Sequence, residues 1–245
     1  LTNGLAHCNA EELTIGIIKE FINGNSPSNS GMLKLKRNLS CLLKNELETS
    51  NIQLDFKRIR IPKNAQKLHK PFVDVHNVLD EIRTFNKNLH LCCLMTYGML
   101  LRPHREIRCL RYSDFKNDFK TLSLEGSRVK SKRNRLIPVP ESIQNHIKAR
   151  FNNKLDLNIF SNAVEAYNDD YFKTLWTRFK RQSNTVSNEQ TLYSLRHTGA
   201  LNVYEKTGSL QKLQQVMGHS DMKVSLTYLR GLEVKQLDVE DLPEL

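Results

Sequence analysis

Long apolar runs are missing from this 245-residue chain. Nothing in it approaches the roughly 20 apolar residues that a membrane-spanning helix needs, and no signal peptide is visible, so a soluble protein of the cell interior is expected. Cysteines are few (Cys8, Cys41, Cys92, Cys93 and Cys109), and none stand at CxxC spacing; this argues against a thiolate metal site and fits a reducing compartment. The chain also lacks a Gly-x-x-x-x-Gly-Lys phosphate loop and a carboxylate cluster of the kind two-metal nucleases use, so neither a nucleotide cofactor nor a metal is expected. Internal repeats and low-complexity tracts are absent too. Acidic residues are outnumbered, 26 against 37 basic ones, and the formal charge of +11 favours a polyanionic partner, with nucleic acid first. Only the tail departs from this balance: Gly231–Leu245 carries Glu233, Asp238, Glu240, Asp241 and Glu244 against Lys235, and is not expected to lie on a polyanion. The chain opens at Leu1 with no methionine, as a fragment would.

Helical periodicity governs most of what is present. Residues 11–23 and 32–49 carry apolar positions at helical spacing around a Ser/Asn/Pro-rich turn. From 51 to 70 the period fades, Pro62 interrupts, and Lys57, Arg58, Arg60, Lys63, Lys67 and Lys70 gather, which reads as a basic interdomain linker. This gives a helical domain over residues 1–66 and a larger one over 67–245. Residues 71–86 and 89–101 form two further helices, the second apolar nearly all round and therefore central. Pro103 suits the first turn of a helix ending near Asp114. Between 113 and 139 the pattern alternates, so a small antiparallel sheet with a basic hairpin is expected. Helices return at 140–151 and 169–181, where Phe172, Leu175, Trp176 and Phe179 face inward and Trp176 serves as a core residue. The fold class is mostly α with a small antiparallel β-sheet (α+β).

The stretch 191–231 holds Arg196, His219 and Tyr228, a trio that makes sense with a phosphodiester between them. Tyr228 stands nine residues after His219 on a short helix, so both can enter one pocket while Arg196 reaches in from the helix before. This arrangement resembles the C-terminal half of the tyrosine recombinase (phage integrase) family, in which His-x-x-Arg is followed by Gly-His and then by a nucleophilic Tyr. The segment GMLLRPHREIRCLRYSDF resembles the family's first arginine box, Gly-Leu-Arg-x-x-Glu then Leu-x-x-x-Asp, with Glu106 following Arg102 by four positions where three is usual. Arg105 is thereby a rival to Arg102, which is preferred because Leu101-Arg102 matches the family's Leu-Arg. Glu106 and Asp114 are expected to brace the box. The hairpin RVKSKRNRLIPVP resembles the family's lysine-bearing hairpin, with Lys130 as the matching residue and Lys132 a nearby alternative. One position departs from the pattern: Tyr193 stands where the first His of His-x-x-Arg is usual.

The resemblance implies a site-specific DNA recombinase, the integrase of a mobile genetic element, that cleaves and rejoins strands through a 3′-phosphotyrosyl link. Arg102 and Arg196 would hold the nonbridging oxygens, since guanidinium groups are planar, permanently cationic and donate in parallel. Lys130 would protonate the leaving 5′ oxygen. A phenol of reference pKa roughly 10 needs cations or a base to attack at neutral pH, so Tyr228 depends on His219 and the arginines, and the identity of the base stays open between His219 and the Tyr193 position. His197 is expected to be buried and to point away from the pocket. Lys132, Arg133 and Arg135 on the hairpin, with Lys57, Arg58 and Arg60 in the linker, are the expected DNA contacts. The two domains would form a C-shaped clamp on double-stranded DNA, four protomers would act on paired sites, and the setting would be the nucleoid of the bacterial cytoplasm. The alternatives are a type IB topoisomerase-like relaxing enzyme, and a catalytically weak DNA-binding regulator on the same scaffold.

Overall fold

The computed structural model describes residues 9–62, 69–128 and 134–229, which fall into two compact units, Leu1–Lys67 and Leu68–Leu245. In the first unit, α1 (Ile15–Asn25) is opened by Thr14, whose hydroxyl accepts the Ile17 N–H at 3.3 Å, and is followed by the longer α2 (Asn29–Thr49). Ile18 and Ile22, both fully buried, meet Ile59. The segment read as a basic interdomain linker thus packs within this unit through residue 62. Its Leu54, Phe56, Ile59 and Ile61 pack against the two helices, and the Lys36 ammonium donates to the Ile59 carbonyl at 2.9 Å. Lys57, Arg58 and Arg60, interleaved with those apolar residues, are left exposed.

The second unit is built around α4 (Lys87–Gly98), opened by the Asn86 side chain and buried along most of its length: Leu89, Leu91, Cys92, Cys93 and Met95 are all inaccessible. Around it pack α3 (Val75–Phe85), α5 (Glu141–Lys148), α6 (Tyr171–Gln182) and α7 (Leu192–Thr207). The closest approach is that of α7, where a Cβ on Gly199 would stand 2.2 Å from the Tyr97 carbonyl oxygen, so only glycine lets the two backbones meet. Trp176 is 6% exposed and meets Phe72 edge-on at 6.4 Å. A three-stranded antiparallel sheet, β1 (Phe115–Lys116), β2 (Thr121–Leu124) and β3 (Arg135–Pro138), pairs in chain order with Leu122 opposite Ile137 and Leu124 opposite Arg135. Two short helices, α8 (Leu210–Met217) and α9 (Met222–Leu229), finish the described chain. The architecture is mostly helical with one small sheet, and among the described residues no helix is long and apolar enough to cross a membrane.

The helix expected from Pro103 to Asp114 does not form. Leu100, buried and left-handed at φ 51°, ends α4 and turns the chain. Pro103–Ile107 then makes a single π turn, with the Arg108 N–H on the Pro103 carbonyl at 3.1 Å, and a 3-10 turn follows at Tyr112–Asp114.

Candidate active site

Arg102, the residue before the π turn, has its guanidinium fixed by Glu106, which also accepts the Arg102 backbone N–H at 2.9 Å. The Glu106 side chain is 1% exposed, and a second arginine, Arg135 of β3, reaches its other oxygen at 3.5 Å. Arg105 points out to solvent from the same turn. Asp114 caps the next turn, taking the Arg111 N–H at 2.8 Å.

Arg196 comes from α7 and is fully buried, the largest side chain so placed. Its Nη2 donates to the Met217 carbonyl at the end of α8 (3.1 Å), whereas Nε and Nη1 have no hydrogen-bond partner among the described residues. A buried guanidinium with two idle donors is costly unless a ligand takes them. Burial lowers its pKa; the adjacent Tyr228 acts against this by charge and by hydrogen bonding, Arg102 adds to it, and Glu106 opposes it again.

His219 follows Gly218, a left-handed residue (φ 66°) that ends α8. Its Nδ1 lies 3.0 Å from the Ser225 hydroxyl of α9. Burial, with Arg196, Arg102 and Arg135 nearby, pushes its pKa down to about 4, so the imidazole is neutral at physiological pH. Tyr228, on α9, places its ring 5.6 Å from that of His219 and 5.6 Å from that of His197. Tyr193, one turn before Arg196, is half-buried; burial raises its pKa while Arg196 and Arg102 act against the rise. It is a proton donor at neutral pH, and His69 stacks on it at 5.5 Å. Arg102, Tyr193, Arg196, His219 and Tyr228 thus gather around one point, with Glu106 beneath. A cleft of about 630 Å³, lined by Asn134, Arg135, Leu136, Gln211, Gln215 and His219, opens beside it.

One sequence expectation changes. Arg135, nominated as a DNA contact, is 8% exposed and turned inward, donating to the Val216 carbonyl and to Glu106. Alternation in β3 puts Arg135 and Ile137 on the buried face and Leu136 outside. His197 is buried, as expected, and its ring stacks on that of Tyr228, because α9 packs against the face of α7 that carries it. Lys130, Lys132 and Arg133 lie outside the described residues, in the connection between Leu124 and Arg135. Among the described residues no group of three or more His, Cys, Asp or Glu is placed to hold a metal ion.

The model of the phage integrase family matches residues 71–234, which spans every one of these side chains except His69. Tyrosine recombinase XerA of Thermococcus onnurineus is 26% identical over 199 residues, covering 76% of this chain and 70% of that protein. The relative is archaeal, so the expected bacterial setting draws no support from it. Among solved structures, a λ integrase dimer bound to a COC′ core site is similar with a TM-score of 0.75 at 19% identity, over 96% of this chain and 70% of that one. XerH bound to difH in a pre-cleavage complex is similar with a TM-score of 0.65 at 15% identity, over 94% and 69%. At such identities the likeness is one of fold.

Proposed function

The chain belongs to the phage integrase family, and from that premise we propose that it is a tyrosine-type site-specific DNA recombinase whose nucleophile is Tyr228. Arg196 and Arg102 hold the nonbridging oxygens of the scissile phosphate, and Tyr193 donates a further hydrogen bond in the position where histidine is usual. The Tyr228 hydroxyl gives its proton to neutral His219, its oxygen bonds to phosphorus, and the P–O5′ bond breaks. Lys130 protonates the departing 5′ oxygen. Burial, together with three arginines, holds the His219 pKa down; the phosphate's charge offsets the arginines, so this imidazole becomes a better base once DNA is bound. Reversal by another 5′ hydroxyl rejoins the strand and restores the phenol.

The observation that carries this reading is Arg196, buried beside Tyr228 with Nε and Nη1 unpartnered. Two idle donors on a buried cation call for an anion with two oxygens, and a phosphodiester supplies them. Exposed Lys57, Arg58 and Arg60 support the unit Leu1–Lys67 as a DNA-binding domain, and double-stranded DNA is the partner. The assembly proposed is a homotetramer on paired sites. The relaxing-enzyme alternative is not favoured by the family match.

Because the recognised site is unknown, the test is covalent capture. The protein is incubated with a pool of nicked duplexes of random sequence, denatured in detergent, and the DNA left attached to protein is sequenced. Wild type should capture a defined sequence and Tyr228→Phe none; capture by both would remove Tyr228 from its role.

A further inference from the structure

We propose that His197 is a positioning residue for the nucleophile: its ring, stacked on that of Tyr228, sets where the phenolic oxygen stands. The inference deepens the preceding reading and rests on Tyr228 being the attacking group. Little of α9 is buried. Of its eight residues only Ser225 is buried, and Met222, Val224 and Leu226 are 41%, 44% and 43% exposed. Among the described residues, apolar packing of this helix is confined to its C-terminal end. Tyr228 and Leu229 are partly buried in a cluster with Leu100, Ala200, Leu213 and Met217, and two histidines also hold the helix. His219 holds Ser225 by a hydrogen bond and meets the Tyr228 ring at a tilt of 32°. His197 meets the same ring at 28°.

The two histidines differ in their surroundings. His219 feels Arg196, Arg102 and Arg135, and so faces the phosphate pocket. Burial lowers the pKa of His197 and His69 lowers it further, so it touches the phenol with a neutral ring, from outside the arginine field that acts on His219. It is also the better fixed of the two at 4% exposure. It stands two residues before Gly199, where α7 and α4 approach too closely for any side chain, so its backbone has little freedom to shift. A stiff ring against a loosely held one orients the loose one, and displacement of a reacting atom by about 1 Å can cost a hundredfold in rate.

Two volume-retaining variants separate the possibilities: His197→Phe keeps a flat ring and His197→Leu does not. Single-turnover adduct formation is measured on a duplex recovered by covalent capture, made either with the ordinary scissile phosphate or with sulfur in place of its bridging 5′ oxygen, a leaving group that departs without an acid. His197→Leu should lose about tenfold in rate, the worth of one aromatic pair, equally on both substrates, while His197→Phe stays within about threefold of wild type. In the DNA-free protein, nitration of Tyr228 by tetranitromethane should be faster in His197→Leu than in wild type or His197→Phe. A wild-type rate in His197→Leu, a loss in His197→Phe as large as in His197→Leu, or recovery on the sulfur substrate would each overturn the proposal. Adduct formation by Tyr228→Phe would instead overturn the reading beneath it.

Discussion

Glu106 and Arg135 face each other at 3.5 Å beneath the site, with 1% and 6% of their side chains exposed. The same carboxylate binds Arg102, and it acts electrostatically on Arg196, so one buried anion stands among three guanidinium groups. Removing it strands buried cations, which is the expensive way to break such a pair. Glu106→Ala is expected to destabilise the fold by about 3–5 kcal/mol in urea unfolding. Adding Arg135→Met should recover part of that, with a coupling of about 1 kcal/mol or more. Strict additivity would mean the contact does not organise the floor of the site.

Arg196 leads to the opposite expectation for stability. Its guanidinium is buried with two nitrogens unpartnered among the described residues, an arrangement that serves the proposed anion better than it serves the fold. Arg196→Met should leave stability unchanged or raise it by about 1–3 kcal/mol, while covalent adduct formation falls by about a hundredfold or more. Sulfate, offered as a stand-in for phosphate, should raise the melting temperature of wild type and not that of the variant. A destabilised Arg196→Met with an intact sulfate response would show that the arginine serves the core instead.

Two glycines with nearly equal backbone angles should respond unequally to alanine. Gly208 (φ 61°) and Gly218 (φ 66°) both end helices in the left-handed region, so each substitution carries about 1–2 kcal/mol of backbone cost. Around Gly208 nothing lies within 4 Å of an added Cβ, whereas at Gly218 that atom would stand 2.5 Å from Arg135 Cδ and Nε. Gly218→Ala should therefore cost about 1–3 kcal/mol more than Gly208→Ala in urea unfolding. Adduct formation should fall with Gly218→Ala and not with Gly208→Ala, because Arg135 cannot move without releasing Glu106 and the backbone that carries His219. Equal stability losses would mean that Arg135 yields freely.

Local patterns made much of this legible in the sequence. Phe172, Trp176 and Phe179 recur at helical spacing and are buried on α6, and the all-round apolar character of 89–101 marked the central helix. What stayed hidden depends on proximity in space. Arg135 looked like one more cation in a basic hairpin; strand alternation beside Ile137 was the available signal that it turns inward. Likewise Leu54, Phe56, Ile59 and Ile61 carried the sign that the supposed linker packs, but the cations between them dominated its composition. The π turn after Leu100 could not be read, since a left-handed leucine follows from packing around it and not from its own propensity. The contact of His197 with Tyr228 is not legible in the sequence, because the direction of a helical side chain fixes its face but not which later helix will cover it.

His219 provides the last expectation, and with it the pH dependence. In the free protein its pKa is about 4, as is that of His90, which burial lowers and which His146, Arg83 and Arg150 lower further against Asp80. In the unfolded chain both return to about 6.5. Between these values the unfolded state binds more protons, so stability is complete above about pH 6.5 and declines as the pH falls toward 4. The urea midpoint should follow that course, and His90→Gln should flatten it. At His219 itself, a bound anion offsets the three arginines, so its proton affinity must rise on binding and binding must take up protons as the pH is lowered. The C2 proton resonance of His219 should titrate near 4 in free protein and at distinctly higher pH in saturating sulfate, with no such movement for His90. Movement of both, or of neither, would separate His219 from the phosphate pocket and leave the base in the Tyr228 reaction to be sought elsewhere.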